Sequence, residues 1–179
     1  MLTRKGKGEE FTMNAPLLSI IVPSYNEEGN IEAFFSAVRE TLQTIPYRYE
    51  VIFIDDGSSD NTLQVIQKLA DEYPAVTYVS FTRNFGKEAA MLAGLEFSKG
   101  DCAVIMDADL QHPPVYIKQM VEEWQNGSDI VLTRRVDNVA TSAFYKLCAK
   151  AFYKILNMLS DTKIPEKTPD FRLIDRKYI

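Results

Sequence analysis

The stretch CAVIMDADLQHPP, residues 102–114, decides how the rest of the chain is read. Its first part, CAVIMD (102–107), is a short apolar run with the length and residue types of a buried strand. It runs straight into two carboxylates one residue apart, Asp107 and Asp109, then into His112 and two prolines. The following PPVYIKQMVEEWQNG reads as a helix opened by proline, whose missing N–H costs nothing at a first turn.

The same unit of strand, polar mouth and helix recurs along the chain. LLSIIVP (17–23), YEVIFIDD (49–56), VTYVSF (76–81) and DIVLT (129–133) are further strand-like runs. After the first, Ile31, Phe34, Phe35, Val38, Leu42 and Ile45 recur at spacings of three and four, the period of an amphipathic helix. Leu63, Ile66, Leu69, Ala70 and Tyr73 mark a second helix, and GKEAAMLAGLEFSKG (86–100) a third, closed by a glycine. Alternation of this kind predicts an α/β fold with right-handed crossovers and a mostly parallel sheet covered by helices on both faces. Such sheets bind ligands at the carboxyl ends of their strands. The polar groups there, PSYNE at 23–27, Asp55-Asp56-Gly57, Thr82-Arg83-Asn84, Asp107-Ala108-Asp109 and Arg134-Arg135, are therefore predicted to converge on one edge.

Composition bounds the function classes. A chain of 179 residues with 46% hydrophobic content suffices for one domain that buries roughly 70% of its unfolded surface. No apolar run approaches the roughly 18 residues that span a bilayer. The N-terminus MLTRKGKGEEFTMN does not read as a signal peptide, since Glu9 and Glu10 stand where an apolar run belongs. Residues 1–15 are expected to form a disordered tail, with Met13 a candidate start. Cys102 and Cys148 sit in apolar patterns without metal or redox spacing, which suits a reducing, cytosolic compartment. The net charge of -5 is unevenly spread: residues 134–179 hold ten Lys and Arg against five Asp and Glu, leaving ten against twenty for residues 1–133. An acidic body argues against nucleic-acid binding, while the basic last part suits an anionic lipid or a phosphate.

Two carboxylates placed side by side repel unless a cation joins them. In extended backbone, side chains two apart lie on the same side, roughly 6 to 7 Å apart. A hard ion such as Mg²⁺ is commonly held by one or two carboxylates together with substrate phosphates. A metal bridging Asp107, Asp109 and a diphosphate removes the repulsion, and Gln111 offers another oxygen. The competing reading makes Asp107 a helix cap and Asp109 a solvated charge.

The strings VPSYNEE, DDGSSDNT, RNFGKEAA and DADLQHPP occur in this order, each at a strand end. Together they resemble family 2 glycosyltransferases of the GT-A fold, a Rossmann-like α/β sheet. RNFGKEAAMLAGL, DADLQHPP and DFRLIDR are most similar to the dolichyl- and undecaprenyl-phosphate sugar transferases, over about residues 17–176. The resemblance implies that Pro23, Tyr25 and Glu27 frame the nucleoside, with Tyr25 near the base. It implies that Asp55 and Asp56 bind base and ribose, and that Asp107, Asp109 and Gln111 hold Mg²⁺ or Mn²⁺. Asp55 and Asp56 also fit a turn and helix cap, with Ser58 or Ser59 capping. His112 has two readings, a general base or a residue that orients the metal loop.

The implied activity is inverting transfer of a hexose from a UDP- or GDP-sugar to a polyprenyl phosphate at the cytoplasmic membrane face. A lipid phosphate is already an anion and needs no strong base, and a metal offsets charge on the departing diphosphate. Recruiting an anionic acceptor beside an anionic donor requires cations. Arg134 and Arg135 are expected to fill that role, with Ser142 assisting. Arg83 and Lys87 are expected either to touch the donor phosphates or to brace the acidic loops. TSAFYKLCAKAFYKILNML (141–159) has a wide apolar face interleaved with Lys146, Lys150 and Lys154. It reads as an interfacial helix on an anionic membrane or as a helix docked on the domain or on a second subunit. The resembling family commonly continues into more catalytic domain and membrane helices, so residues 16–179 are expected to be a truncated catalytic domain. Two rival functions remain: transfer to a polysaccharide or glycolipid hydroxyl, which needs a base, and a nucleotide-sugar-binding or oligomerisation module without turnover.

Overall fold

The computed structural model describes residues 15–133 and 171–179. Apolar alternation and helical stripes build six strands and four α-helices there. In chain order these are β1 (Leu17–Ser24), α1 (Ile31–Leu42), β2 (Arg48–Asp55), α2 (Thr62–Glu72), β3 (Val76–Ser80), α3 (Lys87–Phe97), β4 (Cys102–Ile105), α4 (Tyr116–Gln125), β5 (Ile130–Leu132) and β6 (Arg172–Asp175). The strands form one sheet in the order β3-β2-β1-β4-β6-β5. β1 pairs in parallel with β2 and with β4, and β2 in parallel with β3.

The sheet separates two apolar layers. Leu18, Ile20 and Val22 of β1 point into a large core built with Phe34, Phe35 and Val38 of α1, Ile66 of α2, and Ile117 and Met120 of α4. Ile21 points the other way, into a smaller core with Ile52, Ile54, Ile105, and Ala90 and Met91 of α3. This two-sided burial explains the continuous apolar character of the central strands. Each fully buried Ile, Leu or Phe contributes about 1.5–3 kcal/mol relative to exposure, and Leu18, Ile20, Val22, Phe34 and Phe53 are all fully buried. Phe34 meets Phe53 edge-on at 6.2 Å.

The structure departs from the sequence reading in three places. First, the expected fifth strand is present as β5, but β6, which the strand runs did not include, lies between it and β4. β6 runs antiparallel to β4, pairing Ala103 with Ile174 and Ile105 with Arg172. Arg176 fastens the end of this strand by donating to Gly100 O at 2.8 Å and Ser98 Oγ at 3.0 Å. Second, Gly100 does not close α3, which ends at Phe97 with Ser98 extended. Gly100 is needed for space: a Cβ there would lie 2.6 Å from Ser19 Oγ and 2.7 Å from two strand carbonyls. Third, the prolines precede α4 instead of starting it, and their carbonyls accept from Tyr116 and Ile117 N–H.

Burial pushes the Cys102 thiol up to about 12 and the nearby Asp101 and Asp175 charges add to the shift, so it stays a protonated core residue. Among the described residues no helix is long and apolar enough to cross a membrane. The expected interfacial helix at 141–159 lies outside the described residues.

Candidate functional site

The carboxyl ends of β1, β2 and β4 open onto one cavity of about 310 Å³. Pro23, Ser24, Tyr25 and Glu27 line it from β1 and the turn beyond, Asp56 from β2, and Asn84, Gly86, Lys87 and Ala90 from α3 and the loop before it. Asp107, Ala108 and Asp109 close the β4 side. The predicted convergence of strand ends is therefore present for β1, β2, β4 and the loop after β3.

Cross-braces between loops hold the β1 side. Asn26, in the left-handed region at φ 55°, accepts from Ser59 N–H at 2.8 Å through its side chain, while its own N–H donates to Ser58 Oγ at 3.0 Å. Glu27 N–H donates to Thr62 Oγ1 at 2.7 Å. Ser58 and Ser59 thus tie two loops together instead of capping α2, whose N-cap position is Asn61. Burial would raise the Asp60 carboxyl, but hydrogen bonds from Thr62 and Glu28 outweigh it and hold the group below its usual range. The bracing leaves Tyr25 47% exposed at the cavity rim.

Asp55 and Asp56 are both almost fully buried, and their oxygens are engaged. Asp55 accepts from Ser58 N–H at 3.3 Å and Ser80 Oγ at 3.1 Å, and it does not line the cavity. Asp56 accepts from Phe85 N–H at 2.7 Å and Gly86 N–H at 3.0 Å. Each oxygen retains a second lone pair for a ligand. Gly57, at φ +68°, lets the loop after β3 come this close, since a Cβ there would stand 2.3 Å from the Arg83 carbonyl carbon.

Asp107 and Asp109 both reach the cavity, but not by strand alternation. β4 ends at Ile105, and a turn that puts Leu110 at φ 57° carries the two carboxylates inward. Asp109 Oδ1 accepts Gln111 N–H at 3.0 Å, and the Gln111 side chain does not line the cavity. Asp107 is paired: Lys87 Nζ lies 2.7 Å from Oδ1 and 2.8 Å from Oδ2. Arg83 stacks over the Phe85 ring at 4.3 Å, away from the lining. His112 packs its ring 5.4 Å from Phe171, and its Nδ1 is buried without a hydrogen-bond partner. Arg134, Arg135 and Ser142 lie outside the described residues.

Asn84, expected at this edge, does line the cavity, whereas Gly86 and Ala90 were not singled out in the sequence, although they belong to the RNFGKEAA string that contains Lys87. Among the described residues no three His, Cys, Asp or Glu side chains converge into a ready metal cage. The donor set nevertheless fits a hard divalent ion that shares its shell with a diphosphate. An ammonium already stands on both oxygens of Asp107 as the stand-in cation.

The mixed six-stranded α/β sheet is a fold shared with GT-A glycosyltransferases. A mannosyltransferase from Pyrobaculum calidifontis, solved with GDP-Man and Mn²⁺, superimposes with a TM-score of 0.60 at 21% identity, over 97% of this chain and 48% of that one. Glucosyl-3-phosphoglycerate synthase from Mycobacterium tuberculosis, solved with Mn²⁺, UDP-Glc and phosphoglyceric acid, gives 0.62 at 21% identity, over 90% and 57%. The family model for glycosyl transferase family 2 matches residues 19–179, and the chain belongs to that family. Bactoprenol glucosyl transferase from Shigella phage SfV is 43% identical over 162 residues, 90% of this chain and 53% of the relative. A putative glycosyltransferase from Bacillus subtilis is 40% identical over 167 residues, 93% and 50%. The chain thus spans about half the length of these curated relatives.

Proposed function

We propose that the chain carries the donor site of an inverting, metal-dependent transferase that moves a hexose from a UDP- or GDP-sugar to a polyprenyl phosphate at the cytoplasmic face of the membrane. The observation that carries this reading is the cavity shared by Tyr25, Glu27, Asp56, Lys87, Asp107 and Asp109 at the carboxyl ends of three parallel strands. The 43% identity to a bactoprenol glucosyl transferase supports the acceptor class.

In this reading Pro23, Tyr25 and Glu27 frame the nucleoside, with the exposed Tyr25 ring against the base. Asp56, with Asp55 behind it, accepts from base or ribose. Asp107 and Asp109 would hold Mg²⁺ or Mn²⁺, which when bound would offset charge on the leaving diphosphate, while Gln111, expected as a third ligand, does not line the cavity. Lys87 stays at the diphosphate side. An acceptor phosphate oxygen attacks the anomeric carbon from the face opposite the leaving group, so no side chain has to remove a proton. The buried, unpartnered His112 Nδ1 packs beside Phe171 and fits support of the metal loop better than base catalysis. Arg134, Arg135 and Ser142 receive the acceptor phosphate, and the basic segment 141–159 meets the lipid surface.

Calorimetric titration with UDP-glucose and GDP-mannose, each with Mn²⁺ and with chelator, tests the donor site. One nucleotide sugar should bind, only with metal, and Asp109→Asn should weaken it on the order of 100-fold, the loss expected when a positioned electrostatic contact is removed. Unchanged affinity in chelator or in Asp109→Asn refutes the metal assignment. For the acceptor, Arg135→Ala should leave donor affinity intact and slow transfer to polyprenyl phosphate. Equal loss of both would move Arg135 to the donor side. Turnover with a glycan hydroxyl but not with the lipid phosphate would replace the acceptor class.

A further inference from the structure

Among the described residues that line the cavity, Lys87 is the only cation, set against Glu27, Asp56, Asp107 and Asp109. Its ammonium covers both oxygens of Asp107 almost symmetrically, at 2.7 and 2.8 Å. The pair is partly open to solvent, with the lysine side chain 38% and the aspartate side chain 24% exposed. Ion pairs of this exposure are weak enough to exchange partners. The lysine is the first residue of α3, and its four-carbon stem lets the ammonium swing while its base stays fixed at the positive end of the helix.

The charges make two cations compete. A divalent ion arriving at Asp107 meets an ammonium on the same two oxygens and is repelled by it. A nucleoside diphosphate arriving in the same cavity brings two to three negative charges, enough to engage the ammonium and the metal together.

We propose that Lys87 is the resident counter-cation of Asp107 and makes metal binding conditional on the donor. Without a nucleoside diphosphate the ammonium holds Asp107; with one, the ammonium turns to the diphosphate and Asp107 is released to the metal. The inference rests on the donor-site reading above. It implies ordered entry, and because coupling between ligands is reciprocal, the metal must tighten the nucleotide by the same factor.

The test is titration of Mn²⁺ into the protein, followed by the electron paramagnetic resonance signal of free Mn²⁺, alone and with saturating UDP or, in parallel, GDP. The variants are Lys87→Met, Lys87→Gln, Asp107→Asn and the double variant Lys87→Met/Asp107→Asn. In the wild type, one nucleotide should tighten Mn²⁺ at least tenfold. Lys87→Met and Lys87→Gln should bind bare Mn²⁺ about three- to tenfold more tightly than wild type and lose most of the nucleotide effect. On the Asp107→Asn background the gain should vanish, which a general change in surface charge would not produce.

A wild type that responds to nucleotide, with bare Mn²⁺ binding unchanged or weaker in both Lys87 variants, overturns this inference and leaves the donor reading standing. A gain that persists on the Asp107→Asn background overturns it as well. A wild-type Mn²⁺ affinity that neither nucleotide changes overturns the donor reading and the conditional step with it, whatever bare Mn²⁺ does in Lys87→Met.

Discussion

β2 and β4 are the two neighbours of β1 in the sheet, and each delivers an aspartate to the cavity just past its end, Asp56 on one side and Asp107 on the other. The residue type and the place are the same, but the counter-charge is not. Asp56 is 3% exposed and receives two backbone N–H groups, from Phe85 and Gly86. Asp107 receives a lysine ammonium from the very next residue, Lys87. Three consecutive residues therefore brace one wall with groups that cannot leave and the other with a group that can. A carboxylate held by backbone amides is fixed in place and offers a ligand only its remaining lone pairs; one held by a flexible cation can exchange partners.

The contrast is broken or sharpened most directly by removing each carboxylate. Asp56→Ala removes the buried carboxylate that two part-buried amides donate to, and with hydrogen bonds to a charged group contributing about 1.5–3 kcal/mol each, lessened where water can replace the acceptor, stability should fall by about 2–4 kcal/mol. Asp107→Ala should cost less than about 1 kcal/mol, the range of a solvent-accessible ion pair. Urea denaturation of both variants reads the difference, and equal losses would abolish the distinction between the two walls.

Gly57→Ala attacks the rigid wall from the backbone. A Cβ at φ +68° and 2.3 Å from the Arg83 carbonyl carbon should cost about 2–3 kcal/mol, as strained left-handed positions do. Because the loop that must move leads directly into Lys87 at the start of α3, nucleotide affinity should fall with stability; a melt shifted without a change in binding would show that the two walls move independently.

At the start of β4, burial raises the Cys102 thiol from 9.0 to about 12. The protonated form is favoured in the fold, so this stabilisation is complete below pH 9 and is lost as pH rises towards 12. The loss should reach about 1 kcal/mol near pH 9.5. Denaturation of Cys102→Ala across alkaline pH should lack that component; an identical pH profile in parent and variant would refute the buried, protonated assignment. The smallest effect belongs to Lys68, which meets Glu32 at 3.1 Å with both side chains mostly exposed. Lys68→Ala should change stability by less than about 0.5 kcal/mol, and a larger loss in urea denaturation would mean that surface pairs here carry more than their exposure allows.

The strands that run through the middle of the sheet were legible to within two residues, as β1 and β2 show against the runs at 17–23 and 49–56. Burial on both faces gives them an apolar signal that no turn or helix shares. The stripe from Ile31 to Leu42 marked α1 equally well. β6 was not legible as the strand beside β4, because its register depends on Ala103 meeting Ile174 across seventy residues. Gly100 carried a misleading local signal, since a glycine after a helix suggests a cap while its tertiary role is to clear Ser19.

From the sequence alone followed the alternation of strands and helices, the ordered strand-end motifs, and hence the family and the edge at which the acidic residues gather. Those depend on local period and composition, which every short segment carries in itself. Which aspartate is locked and which is exchangeable was decided only in three dimensions. Asp56 finds its amides 29 and 30 residues later and Asp107 its lysine 20 residues earlier. Such pairings are set by strand order and by how closely the Gly57 turn lets two loops approach, and no spacing along the chain encodes them.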